Sequence, residues 1–231
     1  MNKLEGSKRL KKIADYVKGT GPILDIGSDH AYLPIYLIKE KEIKSAIAGE
    51  VVKGPFEKAK NEVENEKLSN QISVRLGNGF EVLKEEDKID SIFICGMGGI
   101  LISEIIKNGK EEDKIPEHSR LILQANNKEK DLRKCLEELN YAIIEEDIVK
   151  EKEKFYEIIV AEKSQSVPDY TNLEFSYGPI LLKNKSKIFK EKWQKILNKN
   201  KNILKQLDKD KHQEEIEKLK EKNKEIEKVI A

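Results

Sequence analysis

Polar residues suited to ligand binding close the apolar run ILDI at residues 23–26. Within six positions the chain places two acids, a glycine, a serine and a histidine: Asp25, Gly27, Ser28, Asp29 and His30. A pair of carboxylates beside a glycine suits a cationic ligand, because the acids attract positive charge and the glycine lets the ligand approach the backbone. A dinucleotide is disfavoured, since its phosphate-binding pattern G-x-G-x-x-G would need glycines where Asp29 and Tyr32 stand.

Candidate ligand-binding residues also stand at the ends of the next three apolar runs. They are the sequence neighbours Glu50 and Val51, Asn78 and Gly79, and Gly96 and Met97. In an open parallel sheet, ligands bind outside the carboxyl ends of the strands. A carboxylate in the position of Glu50 commonly accepts hydrogen bonds from the ribose hydroxyls of an adenosine ligand. The ammonium and sulfonium of S-adenosylmethionine would complement the acids, so we expect this cofactor. The predicted cofactor-binding residues are Asp25, Gly27, Ser28, Asp29, Glu50, Val51, Asn78, Gly79 and Gly96.

Apolar runs alternate with helical patterns as far as residue 162. The runs predict strands at 22–26 and 44–50, a third ending near Arg75, a fourth entering GMGG, and a fifth at 119–125. Helices are predicted at 3–18, 32–41, 55–67, 100–109 and 128–139. This alternation predicts a mostly parallel sheet covered on both faces. Two final strands, at 141–149 and 155–162, lie too close together for a helix between them and should pair antiparallel at one edge. By analogy, residues 1–164 predict the α/β fold of a Rossmann-like class I methyltransferase with an antiparallel terminal strand.

Residues 165–231 are predicted to form a separate α-helical domain. The loop-like stretch SQSVPDYTN precedes a long helical pattern that starts near residue 179. Two series of residues are spaced alternately by three and four positions, which would place each series along one face of a helix. The first is Phe189, Trp193, Ile196, Asn200, Ile203 and Leu207, and the second is His212, Ile216, Leu219, Asn223, Ile226 and Ile230. A turn at 207–211 would join the two segments into an antiparallel coiled-coil hairpin, in which Asn200 and Asn223 fix the register.

Positive charge is concentrated in the first half of this predicted hairpin. Residues 183–209 hold ten lysines against Glu191 and Asp208, a local charge of +8, although the whole chain carries only +1. Such a surface attracts polyanions, so we expect the hairpin to hold RNA phosphates. A solvated helix face, or a hairpin that only stabilises or dimerises the protein, would explain the same pattern.

Composition argues against several other classes of protein. Cys95 and Cys135 have neither metal-ligand spacing nor a disulfide framework, and the three scattered histidines suggest no zinc site. No run approaches the ~20 apolar residues of a membrane span, and the N-terminal residues lack an apolar signal core. We therefore expect a cytoplasmic protein without a metal or a membrane partner. The sequence leaves the oligomeric state open, and we favour a monomer.

Five motifs carry a family resemblance: DIGSDHAYLP (25–34), GEVVKGPFEKA (49–59), RLGNGFEVL (75–83), GMGG (96–99) and LILQANN (121–127). In this order they resemble the TrmK family, bacterial tRNA (adenine-N1)-methyltransferases that act on adenine 22. The resemblance covers residues 1–162, and that family also carries a C-terminal helical hairpin. It implies S-adenosylmethionine-dependent methylation of tRNA. One departure is Ala125, where the family usually has proline. Asn126 is retained, so we expect a loosened loop and retained activity.

The resemblance also implies roles beside the acceptor base. Adenine N1 has an in-plane lone pair that can attack the methyl group directly, so the product is cationic. The predicted catalytic residues are Asp29, which could stabilise this charge or accept the amine proton, His30, which could relay it, and Asn126. For His30, a helix-start residue bonded to the backbone is an open alternative, and for Tyr32 a packed core side chain is one. The predicted substrate-binding residues are Arg9, Tyr32, Met97, Arg133, Lys187, Lys190, Lys192, Lys195 and Lys199.

Other functions stay open at this level. A methyltransferase acting on another RNA or on a small molecule would use the same cofactor pocket, although a metabolite needs no basic hairpin. A non-catalytic RNA-binding adaptor with a decayed Rossmann domain is disfavoured by the intact acids Asp25, Asp29 and Glu50. An NAD-dependent oxidoreductase lacks the phosphate-binding glycines.

Overall fold

The protein is described by a computed structural model in which residues 7–208 and 211–231 are placed. The chain divides into two compact units, one ending at Gly178 and the other beginning at Pro179. Leu4, which belongs to the predicted first helix, lies outside the described residues.

A seven-stranded sheet forms the centre of the first unit, with the strand order β3-β2-β1-β4-β5-β7-β6. The strands are β1 (Ile23–Ile26), β2 (Ala46–Glu50), β3 (Ile72–Leu76), β4 (Ser91–Met97), β5 (Arg120–Ala125), β6 (Tyr141–Glu151) and β7 (Lys154–Lys163). Strands β1 to β5 are parallel, and every residue of β1 and β2 is buried. Helices cover both faces of such a sheet, which explains why its strands are continuous apolar runs.

The first unit has six described α-helices, of which the first five follow the predicted alternation and the sixth, after β7, was not predicted. They are α1 (Lys8–Ala14), α2 (Tyr32–Glu40), α3 (Lys53–Asn65), α4 (Gly99–Glu111), α5 (Glu129–Glu138) and α6 (Asn172–Tyr177). Helix α1 ends at Ala14, four residues before the predicted end at 18, and Gly19 then has a left-handed φ of +60°. Residues 3–6 of the predicted helix lie outside the described residues. Helix α3 begins two residues before Pro55, which is tolerated in a first turn because no intrahelical bond needs its missing N–H.

The antiparallel edge predicted from the last two strands is confirmed. Strand β7 pairs antiparallel with β6 on one side and with β5 on the other, and Lys152 and Glu153 make the turn. The sheet order reverses at β1, which has β2 on one side and β4 on the other. The carboxyl ends of β1 and β4 therefore border the crevice where ligands bind in open α/β sheets.

The structure places the unit boundary after Gly178, whereas the sequence predicted it at 164/165. The segment predicted as a linker packs onto the sheet domain, because Tyr170 is buried and its hydroxyl accepts a hydrogen bond from the Ile143 N–H at 3.0 Å. The Tyr170 N–H donates to Glu137 Oε1 at 2.9 Å. One aromatic side chain thus anchors a stretch whose polar and proline content is typical of a loop.

The second unit is helical and contains α7 (Pro179–Asn184), α8 (Lys187–Gln206) and α9 (Gln213–Ile230). Helices α8 and α9 pack antiparallel, since one cleft joins Leu204 to Ile216 and another joins Leu197 to Ile230. The predicted polar pair is formed: Asn200 Nδ2 donates to Asn223 Oδ1 at 3.0 Å. A helical hairpin is therefore present, while its coiled-coil periodicity stays a prediction, since Leu197 is buried without belonging to the predicted seam.

Candidate active site

Gly27 brings the ends of three strands together. Its φ is +73°, and the N–H groups of Gly27 and Ser28 both donate to the Gly49 carbonyl of β2, at 2.9 and 3.0 Å. A Cβ on Gly27 would lie 2.1 Å from Met97 Cε at the end of β4. The left-handed backbone favours glycine, and a larger residue would also have to displace the flexible end of the Met97 side chain. The turn after β1 therefore sits directly against the ends of β2 and β4.

Two carboxylates are buried at this crevice. Asp25 is 6% exposed, and burial raises its pKa to about 7; the nearby Ser28 hydroxyl opposes this rise and Glu50 adds to it. Burial also raises the pKa of Glu50, while the N–H groups of Val51 and Val52 donate to its carboxylate and lower it. Two acids that are expensive to ionise without a partner favour a ligand that brings positive charge.

Ser28 adds a second indication of a ligand. Its side chain is 2% exposed, and its Oγ lies near enough to the Asp25 carboxylate to lower the pKa of that group but forms no hydrogen bond of ordinary distance and angle within residues 7–208 and 211–231. A buried hydroxyl without a partner costs free energy that a bound polar group would recover. Together with the acids, it fits a polar and cationic group such as the amino-acid end of S-adenosylmethionine.

Replacing Asp25 with asparagine should stabilise the ligand-free protein at pH 8 by a few kcal/mol. The Asp25 pKa rises on folding from 3.8 to about 7, so the folded state binds more protons than the unfolded state in this range. Its contribution to stability therefore falls as pH rises from ~4 to ~7, by up to ~4 kcal/mol. Urea unfolding at pH 4, 6 and 8 should show a gap between variant and wild type that opens with pH. A gap of the same size at every pH would contradict a buried, titrating Asp25.

The segment after Gly27 presents the predicted catalytic acid at the surface. Asp29 has 82% of its side chain exposed, and its Oδ1 lies 3.4 Å from His30 Nε2. His30 stacks on Tyr32 with ring centroids 5.2 Å apart. His30 and Ala31 both have left-handed backbones, with φ of 60° and 53°. Such angles cost free energy in non-glycine residues and are often found at functional sites.

The loops after β4 and β5 bring Asn126 to the same edge of the sheet. The Asn126 N–H donates to the Met97 carbonyl at 2.7 Å, and Asn126 Nδ2 donates to the Gly96 carbonyl at 2.6 Å. Gln124, the fifth residue of β5, is fully buried and its Nε2 donates to Asn126 Oδ1 at 3.2 Å. Gln124 was not among the site residues predicted from the sequence. An amide inside the apolar run LILQA was the signal that could have identified it.

Asn78 and Gly79 lie on the other side of the crevice, beyond β3. Glu50 of β2 is in register with Leu76 of β3, and the Gly77 N–H donates to the Glu50 carbonyl at 2.8 Å. Asn78 is exposed, and Gly79 has a φ of +56°. The structure therefore brings both predicted adenine contacts next to the buried acid of β2.

Arg133 was predicted to contact RNA, and this prediction is wrong. Its side chain is fully buried and donates to Glu146 at 2.7 Å, to Glu157 at 2.5 Å and to the Phe175 carbonyl at 3.2 Å. A guanidinium held by two buried carboxylates cannot reach a phosphate. It fastens α5 to β6 and β7, and sequence patterns could not show this because the paired acids lie 13 and 24 residues away.

The other predicted RNA contacts divide into two groups. Arg9, the second residue of α1, donates to Gln124 Oε1 and lies over the Tyr156 ring at 5.2 Å, so part of its guanidinium is turned inward. The five lysines predicted to bind RNA all lie on α8, which carries seven lysines and one acid. Of these five, Lys187, Lys195 and Lys199 are exposed, whereas Lys190 and Lys192 are half-buried.

Residues 7–208 and 211–231 contain neither a membrane-spanning helix nor a metal-binding cluster. No helix in that part of the chain is long and apolar enough to cross a membrane. No cluster of three histidine, cysteine, aspartate or glutamate side chains there could hold a metal ion.

Comparison with known proteins identifies the family. The family model for TrmK, described as tRNA (adenine(22)-N(1))-methyltransferase, matches residues 23–228. The chain belongs to the TrmK family. It is 42% identical to the tRNA (adenine(22)-N(1))-methyltransferase of Bacillus subtilis over 211 residues, which are 90% of this chain and 87% of that protein.

Two solved structures resemble this TrmK-family chain over nearly its whole length. One is Streptococcus pneumoniae Sp1610 in complex with S-adenosyl-L-methionine, at 42% identity and a TM-score of 0.87, covering 97% of this chain and 99% of that one. The other is M. capricolum TrmK in complex with the cofactor product S-adenosyl-homocysteine, at 31% identity and a TM-score of 0.83, covering 97% of both chains.

Proposed function

We propose that the protein transfers the methyl group of S-adenosylmethionine to N1 of adenine 22 in tRNA. The observation that carries this proposal is the pair of buried acids, Asp25 and Glu50, at the crevice between β1, β2 and β4. The name of the Bacillus subtilis relative and the cofactor bound to Sp1610 support it. Relatives from bacteria, together with a tRNA substrate, also favour a place in the bacterial cytoplasm.

The chain's part in cofactor binding follows from the charges at the crevice. S-adenosylmethionine, when bound, supplies a methyl group that its sulfonium has already activated. Asp25 would stay ionised beside the positive charge, Ser28 would gain a hydrogen-bond partner, and Glu50 would accept from the ribose hydroxyls. Asn78 and Gly79 would contact the adenine ring, and Gly27 and Gly96 would let the ligand approach the backbone.

The residues at the rim would hold the acceptor base. Asp29 is the exposed acid there, so it could stabilise the positive charge that develops on the base. Asn126 would contact the exocyclic amine, while Met97 and Tyr32 would bound the base and His30 would orient Asp29. No proton must leave N1 before it attacks, so most of the rate increase would come from alignment.

The tRNA itself must be gripped away from the target base. N1 lies on the Watson–Crick edge, so any pair at the target must open and the base must leave its stack. The exposed lysines of α8 would hold the phosphates while the base is extruded, which makes the hairpin a tRNA clamp.

Mass spectrometry of tRNA nucleosides tests the proposal. Unmodified tRNA incubated with the protein and isotope-labelled S-adenosylmethionine should yield up to one labelled 1-methyladenosine per molecule, mapped to position 22. A tRNA with guanosine at position 22 is the matched control and should stay unlabelled. Label in another nucleoside, or at another position, would replace the assigned target, and no label at all would contradict the enzymatic function.

A further inference from the structure

A chain of hydrogen bonds runs from α1 to the acceptor side of the site. Arg9 Nη1 donates to Gln124 Oε1, Gln124 Nε2 donates to Asn126 Oδ1 at 3.2 Å, and Asn126 Nδ2 donates to the Gly96 carbonyl at 2.6 Å. Packing also holds its first member, because the Arg9 guanidinium lies over the Tyr156 ring. This hydrogen-bond chain, here called the relay, connects three segments of the first unit: α1, the end of β5 with the loop after it, and β4.

Both ends of the relay fix its direction. A guanidinium can only donate hydrogen bonds, so the Gln124 atom beside Arg9 must be the amide oxygen. A backbone carbonyl can only accept, so the Asn126 atom beside Gly96 must be the amide nitrogen. Starting from either end gives the same orientation for both amides. Their orientation is thus determined by chemistry, although nitrogen and oxygen have nearly the same shape.

Burial makes this orientation costly to reverse. Gln124 is fully buried, so water cannot replace a lost partner. Rotating its amide by half a turn would place two donors together at Arg9 and two oxygens together at Asn126. Asn126, in contrast, is exposed, and its amide retains one further N–H and one further oxygen lone pair for a ligand.

We propose that Gln124, oriented by Arg9, is a positioning residue that turns the Asn126 oxygen into a fixed acceptor for the exocyclic amine of the target adenine. This inference rests on the proposed methylation of adenine N1. As N1 gains the methyl group, positive charge spreads over the N1–C6–N6 amidine, and the amine becomes a stronger hydrogen-bond donor. An acceptor held beside it binds the transition state more tightly than the ground state, which raises kcat.

Gln124→Glu tests the relay with little change in shape. An ionised glutamate still accepts from Arg9 but cannot donate to Asn126, so the Asn126 amide loses its fixed orientation. We expect kcat to fall about 30-fold, with KM for tRNA and the calorimetric affinity for S-adenosylmethionine within about twofold of wild type. Gln71→Glu, the same exchange at an exposed residue, should change none of these quantities.

Substrate changes and conservative variants separate positioning from folding. With purine riboside in place of the target adenosine, which removes the amine and keeps N1, wild-type kcat should fall about 30-fold and the Gln124→Glu variant should lose little more. If the loss caused by Gln124→Glu and the loss caused by removing the amine multiplied, the two effects would be independent, and the inference would be overturned. Arg9→Lys, which can still only donate, should retain more activity than Arg9→Met, and equal losses would also contradict it.

A measurement without turnover distinguishes this inference from the proposed function. The side-chain amide 15N–1H resonances of Asn126 in the cofactor-free protein should shift in Gln124→Glu and stay in place in Gln71→Glu. Unmoved resonances in Gln124→Glu would overturn the relay even if wild type methylates tRNA. A wild-type protein that shows the shift but leaves tRNA unmethylated would overturn the proposed function, and with it the role assigned to the amine.

Discussion

Glu50→Ala should weaken the binding of S-adenosylmethionine about 100-fold and leave the sheet folded. Glu50 is the buried last residue of β2, beside the crevice. We propose that its carboxylate accepts hydrogen bonds from both ribose hydroxyls of the cofactor. Each charge-assisted hydrogen bond contributes about 1.5 kcal/mol, so losing two corresponds to about 3 kcal/mol. Titration calorimetry at pH 8 measures the affinity, and far-UV circular dichroism checks the fold.

The matched control for this change is Glu57→Ala. Glu57 is an exposed glutamate on α3, so its removal alters the net charge by the same amount without touching the crevice. It should bind the cofactor as wild type does. Unchanged affinity in Glu50→Ala would remove Glu50 from the pocket, whereas equal weakening in both variants would point to a long-range charge effect.

Replacing Lys187, Lys195 and Lys199 together with glutamate should reduce tRNA affinity at least 10-fold at 0.1 M salt. These three exposed lysines are part of the cationic α8, so their reversal replaces phosphate attraction with repulsion. Each lost phosphate contact should also lower the slope of log affinity against log salt by about 0.7 to 0.9. Filter binding at several salt concentrations gives both quantities, and cofactor affinity should not change.

An equal change of charge on the other helix provides the comparison. Lys218, Lys224 and Lys228 are exposed on α9, whose five lysines are balanced by six glutamates. Reversing these three should affect tRNA binding much less, if α8 carries the phosphate contacts. Equal losses in the two triple variants would mean that only the total charge matters. Wild-type affinity in the α8 variant would contradict the clamp.

The order of elements could be predicted from the sequence because burial leaves a strong local signal. A parallel strand covered on both faces must be largely apolar, as in β1 and β2, and a crossover connection, here containing a helix, must join one such strand to the next. The close spacing of β6 and β7 excluded a helix between them, which predicted the antiparallel edge. Element ends were less certain, because packing decides how far a helix such as α1 continues.

The sequence was also sufficient to place the acids and glycines at the binding edge. Residues at the carboxyl ends of neighbouring parallel strands lie at one edge of the sheet, so Asp25, Gly27 and Glu50 could be assigned to one crevice before their contacts were known. Their burial and the raised pKa of Asp25 could not be predicted, since both depend on how closely the neighbouring loops pack.

Tertiary structure alone decided which cations are exposed and which amides are oriented. Arg133 has the sequence context of a surface residue, but two distant glutamates bury it in an ion-pair cluster. Gln124 is marked in the sequence only as an amide within an apolar strand, but Arg9 from helix α1 makes it part of a directed hydrogen-bond chain. Periodicity records whether a residue faces the core, whereas the partners of a buried polar group come from remote segments and appear only when the chain is folded.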